Sequence, residues 1–186
     1  ICTEIITLNL ATTSFCVGDA FSVDYTAVGD FIAGNIFSVE LSDAFGSFAS
    51  PTVIGTLASL VSGSIPVLIP LSTLPGTGYK IRVVSSLQAA TGSEAVSVIT
   101  ISSLPFVSYS ISGNSTLCLG GAVTLTGIGT DTYSWNNGIT NGQSFNPTVT
   151  ADYIVTGTNT ASGCSNTDTI TITVNPTSAS TLTVAS

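Results

Sequence analysis

The stretch Thr167-Asp168-Thr169-Ile170-Thr171-Ile172-Thr173-Val174 decides how this chain is read. Apolar side chains at 170, 172 and 174 alternate with hydroxyls at 169, 171 and 173. A β-strand sends successive side chains to opposite faces, so such a segment has one face for a core and one for water. Threonine, valine and isoleucine are stiff at χ1 and favour strands over helices. The same rhythm runs through residues 122–126, 153–156, 21–25 and 36–41. Residues 81–84 and 96–101 read as strands with more buried faces. Turn signals fall between these runs at Gly18-Asp19, Gly29-Asp30, Asp43 to Gly46, Pro75-Gly76, Thr91-Gly92 and Asn137-Gly138. Short alternating strands punctuated about every 8–12 residues indicate an all-β protein built as a β-sandwich. No segment has a capped 3.6-residue period.

Composition narrows the function classes. The 186 residues contain no histidine, two basic residues (Lys80 and Arg82) and ten acidic ones, for a net charge of −8. General acid–base and nucleophilic catalysis run mainly through histidine, lysine or carboxylates held at tuned pKa values. A Ser-His-Asp triad is impossible here, so the chain is expected not to be an enzyme. Phosphate backbones and anionic membrane surfaces both require Lys and Arg, which argues against nucleic-acid and membrane partners. Apolar residues are 44% of the chain, enough for a core. The uncharged stretch 44–79 is broken by Gly46, Pro51, Gly55, Gly63, Pro66, Pro70 and Pro75, and is no membrane helix. A transmembrane barrel would need longer strands and aromatic girdles.

Four cysteines, Cys2, Cys16, Cys118 and Cys164, divide two and two between the halves. That suits two disulfides, one within each half, although four cysteines allow three connectivities. Zinc is the rival reading, but histidine and C-x-x-C spacing are both missing. Disulfides persist in oxidising compartments, so an extracellular location is expected. Ile1 reads as a processed N-terminus or the edge of a fragment. A boundary falls within 102–107, at Pro105. The expected domains are 1–104 and 105–175, followed by a strand-like tail or linker over 176–186. The two halves begin alike: Phe15-Cys16-Val17-Gly18-Asp19-Ala20-Phe21 parallels Leu117-Cys118-Leu119-Gly120-Gly121-Ala122-Val123. Such a repeat suggests two related modules in tandem. Trp135 lies midway between Cys118 and Cys164, where an indole packed against an inter-sheet disulfide is expected. Trp135 and Tyr153 are read as core.

Several stretches of the second half carry a resemblance. They are Cys118 through Thr126, Tyr133-Ser134-Trp135-Asn136-Asn137-Gly138, Pro147 through Thr156, Gly163-Cys164-Ser165 and Thr169 through Val174. In this order and spacing they resemble the PKD/Ig-like modules repeated in large surface proteins of Bacteroidetes. The first half, through Gly29-Asp30-Phe31, Gly34 to Phe48, Ile54-Gly55, Ile65-Pro66 and Gly78 to Val83, is similar to another module of those proteins. The resemblance implies two tandem Ig-like (PKD-like) β-sandwiches and export, often by the type IX route. It implies service as an adhesin, a gliding-associated polymer or an appendage to a secreted hydrolase. No C-terminal sorting domain is visible, which points to a fragment or a processed product.

Individual residues are weighed on the same terms. Asp19, Asp24, Asp30 and Asp43 offer oxygen ligands for calcium, but at irregular spacing, and aspartate is ordinary in turns; no cofactor is expected. Lys80 and Arg82 share a strand face, with Glu40 in the facing strand as partner for either. Asn114-Ser115-Thr116 fits an N-glycosylation sequon. Asp168-Thr169-Ile170 resembles an O-glycosylation motif of Bacteroidetes, with Thr169 the acceptor. Tyr25, Phe31, Phe45, Phe48, Tyr109 and Phe145 are the candidates for a glycan platform, against a reading in which most are simply core. The function expected is a non-catalytic structural or adhesive one. In one variant the tail adds to a sheet edge of the next subunit and the chain builds a filament. The alternative is a carbohydrate-binding or spacer module attached to a secreted hydrolase.

Overall fold

The structure is a computed structural model, and it describes residues 3–8, 10–87, 90–94 and 97–176. Cys2, Val96 and all of the expected tail except Pro176 lie outside these residues. The described residues form strands and no helix, and none of them builds a helix long and apolar enough to cross a membrane. The chain divides into two compact units, Ile1–Ser103 and Leu104–Ser186.

The first unit contains β1 (Glu4–Thr7), β2 (Ser14–Cys16), β3 (Ala20–Val28), β4 (Ile36–Leu41), β5 (Thr52–Ala58), β6 (Gly63–Leu68), β7 (Gly76–Tyr79), β8 (Ile81–Ser85), β9 (Thr91–Glu94) and β10 (Ile99–Ser102). Seven of these make one sheet in the order β5-β4-β8-β9-β1-β3-β6, and β2-β10-β7 make a second. Alternation decides which side chains turn inward: in β4, Phe37, Val39 and Leu41 are buried while Ile36, Ser38 and Glu40 are not. In β8, Ile81, Val83 and Ser85 do the same. Tyr25 and Phe31 pack on Phe37 with ring centroids 4.6 and 4.9 Å apart.

The large sheet does not stay open. Its two edge strands, β5 and β6, come together at Gly55, where a Cβ would run into the Pro66 carbonyl and lie 2.7 Å from Val67 Cγ1. Only a residue without a side chain permits that approach. Curling edge onto edge hides unpaired backbone groups that a flat sheet would expose. This unit is therefore barrel-like in its main sheet, a feature that turn spacing alone does not reveal.

The second unit contains β11 (Ser108–Ser112), β12 (Thr116–Cys118), β13 (Val123–Ile128), β14 (Thr132–Trp135), β15 (Ser144–Phe145), β16 (Ala151–Thr158) and β17 (Ser165–Asn175). Two sheets form, β11-β13-β15 and β12-β17-β16-β14. Their inner faces meet in a core of Val107, Val123, Leu125, Trp135, Tyr153, Val155, Ile170 and Ile172. The opening motif behaves as read: Ile170 and Ile172 enter the core, and Thr169 and Thr171 face water. Trp135 closes its polar end by donating Nε1–H to Asn141 Oδ1 at 3.0 Å.

The cysteines correct one expectation. Cys16 and Cys164 are each disulfide-bonded, and Cys164 is 1% exposed. Cys118 carries a free, exposed thiol, so no Cys118–Cys164 bridge exists for Trp135 to pack on. Strand register gives the reason. Cys118 sits opposite Asn175 at the far end of β17, whereas Cys164 immediately precedes Ser165 at its start. Ten residues of strand separate those positions by roughly 33 Å, against a Cα–Cα limit of ~7 Å for a disulfide.

Candidate functional site

A concave site of the first unit lies where β4 leaves the sheet. Leu41 is paired with Thr52 across β4 and β5, so residues 42–51 must return the chain within one loop. Asp43 organises that loop. Its Oδ1 accepts from the backbone N–H of Phe45 at 3.0 Å and of Ser47 at 2.8 Å. Its own N–H donates to the Ser47 carbonyl at 2.9 Å, and Gly46 N–H donates to the Asp43 carbonyl at 3.1 Å. Aspartate suits this position because its short carboxylate reaches backbone amides two and four residues on. Gly46 takes φ +82°, a left-handed conformation that costs glycine little.

The loop is also clamped from below. Ser42 Oγ accepts from Lys80 N–H at 2.8 Å and donates to the Asp43 carbonyl at 2.8 Å. In β7, a Cβ on Gly78 would run into the Ala44 carbonyl, and one on Gly76 would lie 2.7 Å from Ala44 Cβ. The glycines of β7 thus let the loop seat directly on backbone. The result is a fixed finger with Phe45 at its tip, and that ring is 95% exposed.

The facing wall is the turn between β6 and β7. Thr73 N–H donates to the Pro70 carbonyl at 3.0 Å, and Tyr79 Oη donates to the Leu74 carbonyl at 2.6 Å. Burial, and then the negative charge of Asp43, push the Tyr79 phenol above its ordinary pKa, so it remains a donor. Leu71 and Leu74 stand 71% and 73% exposed on this turn. Between finger and turn lies a cleft of about 360 Å³, lined by Asp43, Phe45, Thr52, Pro70, Thr73 and Leu74 among others.

The charged residues serve the sheet. Arg82 lies opposite both Glu40 and Glu94 in the ladder. Its Nε meets Glu40 Oε2 at 2.7 Å, and its guanidinium stacks 4.3 Å from the Phe48 ring centroid. Lys80 Nζ pairs with Glu94 Oε2 at 2.8 Å, a partner the sequence reading does not supply. Asp19 caps a turn by accepting from Cys16 N–H at 2.7 Å. Asp24 and Asp30 are exposed. Among the described residues no three His, Cys, Asp or Glu side chains gather where they could hold a metal ion.

The other candidates fall in separate places. Of the six aromatics, Tyr25 and Phe31 are buried, and Phe48, Tyr109 and Phe145 are half-buried; Phe145 packs tilted on Tyr153 with ring centroids 5.1 Å apart. Phe45 alone among them stands free. Asn114, in the connection between β11 and β12, and Thr169, on β17, are both exposed. Sequence reasoning misses Thr73 and Leu74, which line the cleft, and Leu71, exposed on the same turn. Their only signal is a pair of leucines between Pro70 and Pro75, which in isolation reads as a loop. No family model matches the chain, and no curated protein matches it.

Proposed function

We propose that this chain is a non-catalytic, extracellular structural and adhesive module, two Ig-like (PKD-like) β-sandwich units in tandem from a bacterial surface protein of the Bacteroidetes type. One observation carries the reading: both basic side chains are held in pairs, Arg82 of β8 with Glu40 of β4 and Lys80, just before β8, with Glu94 of β9, leaving shape and exposed surface as the means of action. The disulfide-bonded Cys16 and Cys164 support an oxidising location. The hydroxyl-bearing outer face of β17 supports a surface that is wetted without charge.

The filament variant has its own support in the second unit. Its sheets end on β12, β14, β11 and β15, edges whose free backbone groups accept an added strand. In this variant residues 177–186 supply that strand to the next subunit. Two experiments bear on these readings. Surface labelling of intact producing cells should modify the protein, and protection until lysis would refute the extracellular assignment. Electron microscopy should find polymers of the whole chain that disappear when residues 177–186 are deleted; polymers that survive the deletion refute tail donation.

A further inference from the structure

We infer that the cleft between the Phe45 finger and the 70–74 turn is a binding site for a neutral oligosaccharide. The inference rests on the adhesive reading and names the class of partner.

Three properties of the cleft select the ligand. The first is the cost of presenting Phe45. A phenylalanine 95% exposed forgoes the burial that normally stabilises a large apolar side chain. Here a network of four hydrogen bonds around Asp43 and the seat formed by Gly76 and Gly78 hold the backbone that carries the ring. A loop already ordered in this way has no backbone entropy left to lose when a flat apolar face stacks on Phe45. The second is lining. Ser50, Thr52, Ser72 and Thr73 are hydroxyl residues of a lining whose apolar part includes Leu41, Phe45, Pro70 and Leu74. Apolar walls with a few placed polar groups, in a cleft of this volume, match small-ligand sites in general. A pyranose ring complements them, with C–H groups on one face and hydroxyls around its rim.

The third is charge. Asp43 is the one ionised residue lining the cleft, and Lys80, which passes beneath Gly46, is paired with Glu94. With no free cation at the site, an anionic sugar would meet only repulsion. A peptide strand is disfavoured for a different reason. The finger bonds its backbone groups internally through Asp43 and Ser47 and the facing turn through Pro70 and Thr73, so neither wall offers a run of free ladder groups to an added strand.

The experiment uses the whole chain and two sets of probes: cellohexaose, laminarihexaose and chitohexaose as neutral oligosaccharides, and sialyllactose and a heparin hexasaccharide as anionic ones. Binding is followed by calorimetry and by chemical-shift changes at residues 43–47 and 70–74. At least one neutral probe is expected to bind saturably and to shift both segments. Phe45→Ala should weaken that binding roughly tenfold, whereas Phe45→Trp should retain it. Because the ring is solvent-exposed, both variants should keep the wild-type melting temperature, which separates a lost contact from a lost fold. Thr73→Val, which removes a hydroxyl and keeps the shape, should weaken binding without moving the melting temperature. The inference is overturned if no neutral probe binds, if binding is indifferent to Phe45→Ala, or if the anionic probes are preferred. Surface labelling of intact cells reads the extracellular assignment separately, so a negative sugar titration with a labelled protein refutes this site alone.

Discussion

Gly78 shows how much one missing methyl group decides. The Asp43 loop sits so close to β7 that a Cβ at this position collides with the Ala44 carbonyl, and backbone cannot swing aside as a side chain can. Gly78→Ala should therefore destabilise the chain by about 1–3 kcal/mol, read as a lower denaturation midpoint; an unchanged midpoint would mean that the loop is not seated as described. In the second core, Trp135→Ala removes an indole packed among Leu125, Val155 and Ile172 and should cost about 3–5 kcal/mol. Asp131 links stability to pH. Its Oδ2 accepts from Thr160 N–H at 2.8 Å and Thr160 Oγ1 at 3.0 Å, and these bonds hold its carboxyl below the usual carboxylate range. A carboxyl whose pKa is lower in the folded than in the unfolded state contributes stability above its unfolded pKa. That contribution is lost as pH falls through the folded value. Denaturation midpoints measured along an acid series should fall less steeply for Asp131→Asn than for wild type, and parallel curves would remove Asp131 from the account.

Several strands were legible in the sequence where apolar and polar residues alternate over a long enough run, while the four-residue β1, with Ile5 and Thr7 inward, was not. Residues 36–41 coincide with β4, and the Ile170/Ile172 rhythm lies inside β17, because period two is a direct image of burial. β5 and β6 give no such image. Gly55 breaks the pattern of β5 where it meets the Pro66 carbonyl, and β6 is apolar on both faces, its inward Ile65 and Val67 alternating with outward Pro66 and Leu68. Pro75-Gly76 reads as a turn, yet Gly76 already begins β7, since its bareness serves the docking of Ala44. The disulfide arrangement was illegible for another reason: cysteine counts carry no strand register. Only pairing of Cys118 with Asn175 places that thiol at the opposite end of β17 from Cys164. Consequently a maleimide should label Cys118 in the native, unreduced protein, and resistance of that thiol would contradict the register. Cys118→Ser should leave stability within about 0.5 kcal/mol of wild type, whereas Cys164→Ser should cost about 2–5 kcal/mol. The candidate site was half legible. Phe45 stands among six aromatics of equal standing in the sequence, and neither the 70–74 turn nor the glycine seat is adjacent to it along the chain.

Taken whole, the molecule uses chemistry sparingly and mostly for its own support. Lys80 and Arg82 are tied to Glu94 and Glu40, Asp19 and Asp43 hold turns, and the buried Cys164 is in a disulfide. A chain stabilised by roughly 5–15 kcal/mol depends heavily on such a bond, so reduction should lower its melting temperature clearly. On the adhesive reading proposed above, interaction falls to contact through exposed apolar side chains such as Phe45, Leu71 and Leu74 and through hydroxyl-bearing sheet faces. Removing all four charges of the two pairs separates support from interaction. The variant Glu40→Gln, Lys80→Gln, Arg82→Gln and Glu94→Gln loses pairs worth about 0–1 kcal/mol each where exposed, with a larger share for the half-buried Arg82, and is expected to fold. Beads coated with it and with the wild-type chain are then compared for attachment to intact producing cells. The account expects a lower melting temperature with attachment at the wild-type level. A variant that melts like the wild type but no longer attaches would show that these charges serve recognition, and would contradict it.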